Sequence, residues 1–354
     1  MWLTVVFGVA TKYSEALLSV KYRIKTERGR MAGGPMYVLE RGMKQKWLGV
    51  IFAILTAVSA FGIENMVQAN SISSMVNETF RITPWRTGIV MAVLTAFVIL
   101  GGIKSIARVS EGLVPFMAIF YVGGCIVLLV INASTIPATL QLIFQSAFAG
   151  QSMLGGFAGA TMKEAIRFGV ARGLFSNESG LGSAPIVAAA AQTKNPVRQA
   201  PVSSTGTFWD TVIICAITGL VLVNSGEWTK GLKGAALTKA AFSDIHVIGP
   251  IILTLGLLTF VFSTILGWAY YGEKAAEYLL GPKVITRYAG CGSARSWLAP
   301  SFLCRRCGRL QMSPTVSWPF PILFLSSCLA ESLSRKHASI CGTTIWMQQP
   351  RRRL

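Results

Sequence analysis

The stretch Arg172-Gly173-Leu174-Phe175-Ser176-Asn177-Glu178-Ser179-Gly180-Leu181-Gly182-Ser183 constrains this chain more than any other, because it interrupts a helix within an apolar sequence. Upstream, 155–171 reads as a helix, and downstream, 184–191 is a short apolar run. Glycine weakens a helix by roughly 1 kcal/mol relative to alanine. Glycines set among serines, an asparagine and a carboxylate therefore predict an unwound segment between two half-helices. Inside a bilayer such backbone survives only where it lines a cavity or is enclosed by protein. Discontinuous helices mark the substrate and ion sites of secondary transporters, where half-helix ends and free carbonyls stand in for water. A tight loop joining two separate helices accounts for the same residues and stays open at this point.

The rest of the chain is membrane-like. Hydrophobic residues make up 52% and charged residues 13% of the 354, and the mean hydropathy is +0.54, too apolar for an ordinary soluble domain. The net charge of +19 does not point to nucleic acid, because it is unevenly placed. From Pro282 onward eleven Lys or Arg face one Glu, and much of the remainder lies in the single loop 21–46. Cys125 and Cys215 fall in apolar runs, whereas Cys291, Cys304, Cys307, Cys328 and Cys341 fall in the tail. Cys304 and Cys307 have the spacing of half a zinc site, without a second half. Residues 1–10 lack the basic start of a cleavable signal peptide.

In order, the chain predicts about seven membrane segments. Residues 2–20 form the first, with Lys12 and Glu15 at its inner end. The basic loop 21–46 is cytoplasmic by the positive-inside rule. The second crosses outward over 47–63 and extends into the polar run 64–70. The third, 87–103, returns to an inner turn marked by Lys104 and Arg108. The fourth is 112–131, with Ser110 and Glu111 placed to cap it. A charge-free connector, 132–153, leads to the broken fifth segment, whose outer end carries Lys163, Glu164 and Arg167. Residues 205–223 cross outward, 225–246 hold an amphipathic outer helix, and 248–271 is the last span, ending inside at Glu273 and Lys274.

The motif Phe175-Ser176-Asn177-Glu178-Ser179-Gly180-Leu181-Gly182-Ser183, followed by Ala184-Pro185-Ile186, resembles the signature of the sodium:alanine/glycine symporter family. So do Gly33-Gly34-Pro35-Met36-Tyr37, Asn65-Met66-Val67-Gln68-Ala69-Asn70-Ser71, Lys194-Asn195-Pro196-Val197-Arg198-Gln199, Asp210-Thr211 and Ser263-Thr264-Ile265-Leu266-Gly267-Trp268. The resemblance covers about residues 1–284. It implies an all-α polytopic membrane protein with a partial leucine-transporter-like inverted-repeat fold. It also implies sodium-coupled symport of alanine or glycine across the cell inner membrane by alternating access, with sodium as coupling ion, no other cofactor and no enzymatic activity. The expected partners are a small neutral amino acid, sodium and lipid. Matched onto the family plan, the chain runs from the second helix to the eighth, so an incomplete, inactive copy is expected. The alternative is a non-transporting membrane fragment or interaction subunit. Residues 285–354 are expected to be a foreign basic tail, disordered or derived from a shifted reading frame; the other two frames of the gene should then encode further apolar helix.

Candidate binding residues follow from chemistry. Backbone amides near Ser176, Asn177, Gly180 and Gly182 can meet a substrate carboxylate, and Phe175 can wall the pocket. Gln68 faces substrate by resemblance or makes an interhelical hydrogen bond. Asn65 shares its helix face at i, i+3. Ser263 and Thr264 offer hydroxyl oxygens that suit sodium, or bond back to their own helix. Trp268 can close over substrate or anchor at an interface. Glu178 and Asp210 are membrane-depth acids, hence coupling or gating candidates; Glu178 can pair with Arg172 or cap the second half-helix. Two departures from the family pattern are Glu64, where a glycine is usual, and Ser179, where alanine is usual.

Overall fold

The computed structural model describes residues 1–26, 29–60, 65–148, 162–232, 234–245, 248–285 and 288. Glu64, residues 149–161 and 289–354, and the side chains of Asn70, Lys163, Glu164 and Arg167 lie outside that description, and with them the readings of the tail and its cysteines.

The described chain is helical throughout, apart from a two-residue ribbon. Helix α1 (Trp2–Tyr22) leads into strands β1 (Ile24–Lys25) and β2 (Met31–Ala32), paired antiparallel. A three-residue turn, α2 (Pro35–Tyr37), continues into a π-helical turn, Val38–Gly42. Next come α3 (Lys46–Ser59), α4 (Asn65–Phe80), α5 (Pro84–Leu100), α6 (Gly102–Ile131) and α7 (Ile136–Phe148). The interrupted element is α8 (Met162–Asn177) followed by α9 (Ala184–Ala188). Helix α10 (Pro196–Thr207) passes through a π-helical stretch, Phe208–Cys215, into α11 (Ala216–Asn224). A short α12 (Ala235–Phe242) precedes α13 (Ile248–Leu280).

Among the described residues, four helical stretches are long and apolar enough to cross a membrane: Trp2–Tyr22, Gly102–Ile131, Pro196–Asn224 and Ile248–Leu280. Lys46–Ser59 and Pro84–Leu100 are shorter apolar helices. Their outward faces carry bare aliphatic and aromatic side chains, with Phe97 74% and Ile119 76% exposed. An aqueous surface rarely shows so much contiguous apolar area, whereas lipid accepts it.

Several boundaries differ from the sequence expectation. The span expected over 47–70 is described as α3 and α4, on either side of residues 61–64. The inner turn at Lys104 and Arg108 is instead helix, because the chain reverses earlier, at Gly101 and Gly102, the latter at φ +70°. Ser110 and Glu111 are therefore helix interior and cap nothing. The uncharged 132–153 connector contains a helix, α7, whose Thr139 and preceding Thr135 donate to Asn224 Oδ1 at 2.8 and 2.7 Å. Glu273 and Lys274 do not end α13. Lys274 donates to Glu277 Oε2 at 2.6 Å, and this i, i+3 pair lets three charged residues stay buried as the helix runs on to Leu280.

Helix α13 is the spine of the packing. Leu266, Trp268, Tyr270, Tyr271 and Ala275 join one apolar cluster with α3, the Ala32–Leu39 segment and Ile186 of α9. Leu253, Val261 and Ile265 join a second with α4, α6, α11 and α12. Tyr37 packs edge-on against Tyr278 at 5.1 Å. Burial, then the Glu277 and Glu40 carboxylates, push its phenol up to about 12, so it adds no charge to the first cluster.

Lipid gives helices no hydrophobic drive to associate, so close packing of small residues must hold them together. The Gly33-Gly34-Pro35 turn shows this. A Cβ on Gly33 would sit 2.5 Å from the Ala189 methyl, and one on Gly34, at φ +116°, would sit 2.8 Å from Ile186 Cγ1. Gly34→Ala is predicted to lower the unfolding free energy in detergent by about 1–3 kcal/mol through backbone strain alone, and Gly33→Ala to lower it as well. Gly123→Ala, with open space around it, should be neutral or mildly stabilising; equal effects at the two kinds of site would contradict the packing.

Candidate functional site

Helix α8 runs through Phe175, Ser176 and Asn177, six residues beyond the expected end at 171. Gly173 does not stop it, because the absent Cβ is what lets Thr4 of α1 pack against it. The chain leaves the helix at Glu178, φ +54°, and two further left-handed positions follow at Gly180 (+81°) and Gly182 (+75°). Such φ values are easy for glycine and uncommon for other residues. The break thus occupies 178–183, shorter than expected, and α9 beyond it has five helical residues.

The polar side chains at the break are tied to protein. The Asn177 side chain accepts from Ser179 N at 3.0 Å and donates through Nδ2 to Thr211 Oγ1 at 3.1 Å, an asparagine closing a local turn on itself. Ser183 Oγ and Tyr271 Oη donate to Glu178 Oε2 at 2.8 and 3.2 Å. The first contact makes Glu178 a clasp on the residue that starts α9, and the second fixes the turn to α13. Arg172, the expected ion-pair partner, is exposed and makes no such pair with Glu178. Asp210 Oδ2 accepts from Ser176 Oγ at 2.7 Å and from Thr211 Oγ1 at 3.1 Å. Its π-helical stretch brings Asp210 and Thr211 against the last turn of α8; such bulges recur at functional sites.

Sequence reasoning missed the role of α1. Thr4, Gly8, Lys12, Glu15, Ser19 and Arg23 recur at intervals of three and four, one face of a helix, and α1 packs that side on α8, α9 and α10. Lys12 Nζ donates to the Asn177 carbonyl, the end of α8, at 2.7 Å. Ser19 Oγ donates to the Pro185 carbonyl at 2.6 Å. The Arg23 guanidinium takes the carbonyls of Ala189, Ala191 and Thr193 at 2.9, 2.6 and 2.5 Å, beyond the end of α9. Each half-helix therefore has a cation at its carbonyl end, where the orphan acceptors and the dipole favour positive charge. Lys12 and Glu15 were expected to mark only a membrane boundary.

The other expected residues lie on two neighbouring helices. Trp268 is buried on α13 and packs edge-on against Tyr271 at 5.3 Å, one contact from Glu178. Ser263 and Thr264, on the same helix, donate back to the Phe260 carbonyl at 2.8 and 2.9 Å, the self-bonding alternative, and their lone pairs remain as acceptors. Ser263 also faces Met117 Sδ of α6 at 3.7 Å. Asn65 and Gln68 open α4, which packs on α13. Gln68 is half-buried, while Asn65 is 4% exposed and its Oδ1 has no hydrogen-bond donor among the described residues. Phe175 is half-buried; Gly180 and Gly182 are buried, Gly182 packed close to Phe52 and Pro35.

Replacing Arg23 by Met would leave three carbonyls without their donor. Hydrogen bonds to charged groups contribute about 1.5–3 kcal/mol, so denaturant unfolding in detergent should show a loss of that order. Arg23→Lys should fall between, since an ammonium lacks the planar fork; an unchanged midpoint for both would refute the clamp.

Comparisons with known proteins place the sequence in a family. The profile of the sodium:alanine symporter family matches residues 1–292. The sodium/alanine symporter AgcS of Methanococcus maripaludis is 52% identical over 296 residues, covering 81% of this chain and 64% of the relative. An uncharacterized transporter of Haemophilus influenzae is 50% identical over 292 residues, with the same two coverages. The probable sodium/glutamine symporter GlnT of Bacillus subtilis is 35% identical over 282 residues, 79% of this chain and 58% of the relative. The chain thus spans somewhat under two thirds of the length of these relatives. With a family match over more than four fifths of its residues and an interrupted helix at the family's signature motif, this chain belongs to the sodium:alanine symporter family.

Proposed function

We propose that this chain forms the core of a sodium-coupled symporter for a small neutral amino acid, alanine or glycine. It would lie in the cell inner membrane and work by alternating access within a leucine-transporter-like fold of two inverted repeats. The observation that carries the reading is the clamped break at 178–183, with both half-helix ends satisfied by neighbouring side chains. A zwitterion in a dry pocket needs both its charges matched, since each unpaired one costs several kcal/mol. The turn around Gly180 and Gly182 suits the carboxylate, with Ser176 and Asn177 closing α8 beside it; α9, at five residues, adds only a small dipole. The Asn65 Oδ1, buried and without a donor, suits the ammonium, with Gln68 one helical turn along. Phe175 limits side-chain size, Trp268 closes the pocket, and the oxygens of Ser263 and Thr264 suit sodium. Glu178 and Asp210 act as gate contacts by holding the turn. Discrimination between alanine and glycine rests on one methyl, worth about 1–3 kcal/mol.

A ligand that binds only the folded state raises its stability by about 2.7 kcal/mol at a hundredfold excess over Kd. In detergent, alanine should raise the unfolding midpoint of the purified chain in sodium chloride and not in choline chloride. Asn65→Ala and Phe175→Ala should each reduce that shift. A midpoint indifferent to alanine in both salts would count against the reading.

A further inference from the structure

We propose that Glu15 of α1 is a proton-binding site beside the broken helix: in the arrangement described, its carboxyl group carries a proton. Glu15 is 7% exposed, and neither carboxylate oxygen makes a hydrogen bond of full geometry among the described residues, the Gly180 amide being the backbone donor directed at it. An ionised carboxylate buried without partners costs several kcal/mol, and the group neutralises instead.

Its surroundings choose the ligand. The neighbours that act on it are Lys12, one turn back, the Gly180 amide of the unwound turn, and the Glu178 carboxylate. Lys12 is committed to the Asn177 carbonyl at 2.7 Å, so its ammonium does not bond to Glu15. Glu178 already receives the Ser183 and Tyr271 hydroxyls, and as a carboxylate neighbour it offers Glu15 no donor. A metal ion would need several oxygen ligands and would meet an ammonium and an amide hydrogen, both repulsive. A proton needs none of this. Of the other elements packed on α1, α9 carries no charge, and the charge of α10, Arg198, is exposed at its first turn. Arg172 of α8 is exposed, Asp210 is held by Ser176 and Thr211, and Glu40 and Arg41 lie beside Tyr37.

The Glu15 carboxyl is none of the groups assigned to the amino acid or to sodium, although the Gly180 amide borders both, and its test needs neither transport nor substrate. Infrared spectroscopy of the full chain in lipid nanodiscs at neutral pH should show a protonated-carboxyl C=O band that Glu15→Gln abolishes. If Glu15→Gln does not fold, Glu15→Asp serves in protein with isotope-labelled glutamate carboxyls, where the band should stop shifting with the label. A protonated acid in the folded state contributes stability that is lost as pH rises, so the wild-type unfolding midpoint should fall with rising pH more steeply than that of Glu15→Gln. Absence of the band in wild type, its persistence unchanged in the variants, or its loss when sodium replaces choline would overturn the proposal, the last by showing a metal site.

Discussion

Interrupting a helix frees backbone carbonyls and amides that lipid cannot satisfy, and that demand organises the structure. The chain answers it with one amphipathic neighbour. Helix α1 turns a face of Thr4, Gly8, Lys12, Glu15 and Ser19 toward the break, Arg23 follows just past its end, and Lys12, Ser19 and Arg23 donate to carbonyls of the interrupted element and of the residues after it. The cations stand at the carbonyl ends of both half-helices, where partial negative charge accumulates. A break thus stabilised can persist without being an open loop.

The other side of the break is held by geometry of a different kind. The π-helical stretch at Phe208–Cys215 widens the helix by one residue, so that Asp210 and Thr211 reach Ser176 and Asn177. Tyr271 ties Glu178 to α13, the helix that also carries Trp268, Ser263 and Thr264 and packs on α4 with Asn65 and Gln68. The Tyr271 hydrogen bond thus links the turn to α13, which belongs to both apolar clusters.

Much of this was legible in the sequence. The glycines at 180 and 182 forecast the break; the Gly33-Gly34-Pro35 run was visible only as a family-like motif, and its close approach to Ala189 and Ile186 is a tertiary fact. The end of α8 was misplaced because Gly173 counts as a breaker locally, and its packing against Thr4 is a tertiary fact. The spans at α6 and α13 ran longer than expected because charge was taken as a boundary. Glu273, Lys274 and Glu277 are buried together instead, and no single-sequence rule reveals that pairing. Lys12 and Glu15 were misread for the same reason, although the spacing of the α1 face was there to be counted. Asp210 was identified as important, but its partner Ser176 depends on a π-helical register that hydrophobic periodicity does not encode.

The central claim is that the turn at 178–183 is enclosed and clamped within the membrane domain. Hydrogen–deuterium exchange of its amides, measured for the chain in lipid nanodiscs, tests this most directly. Slow exchange at 178–183, comparable with the flanking helices α8 and α10, is the predicted result. Rapid exchange throughout those residues, as in a solvent-exposed loop, would contradict the account.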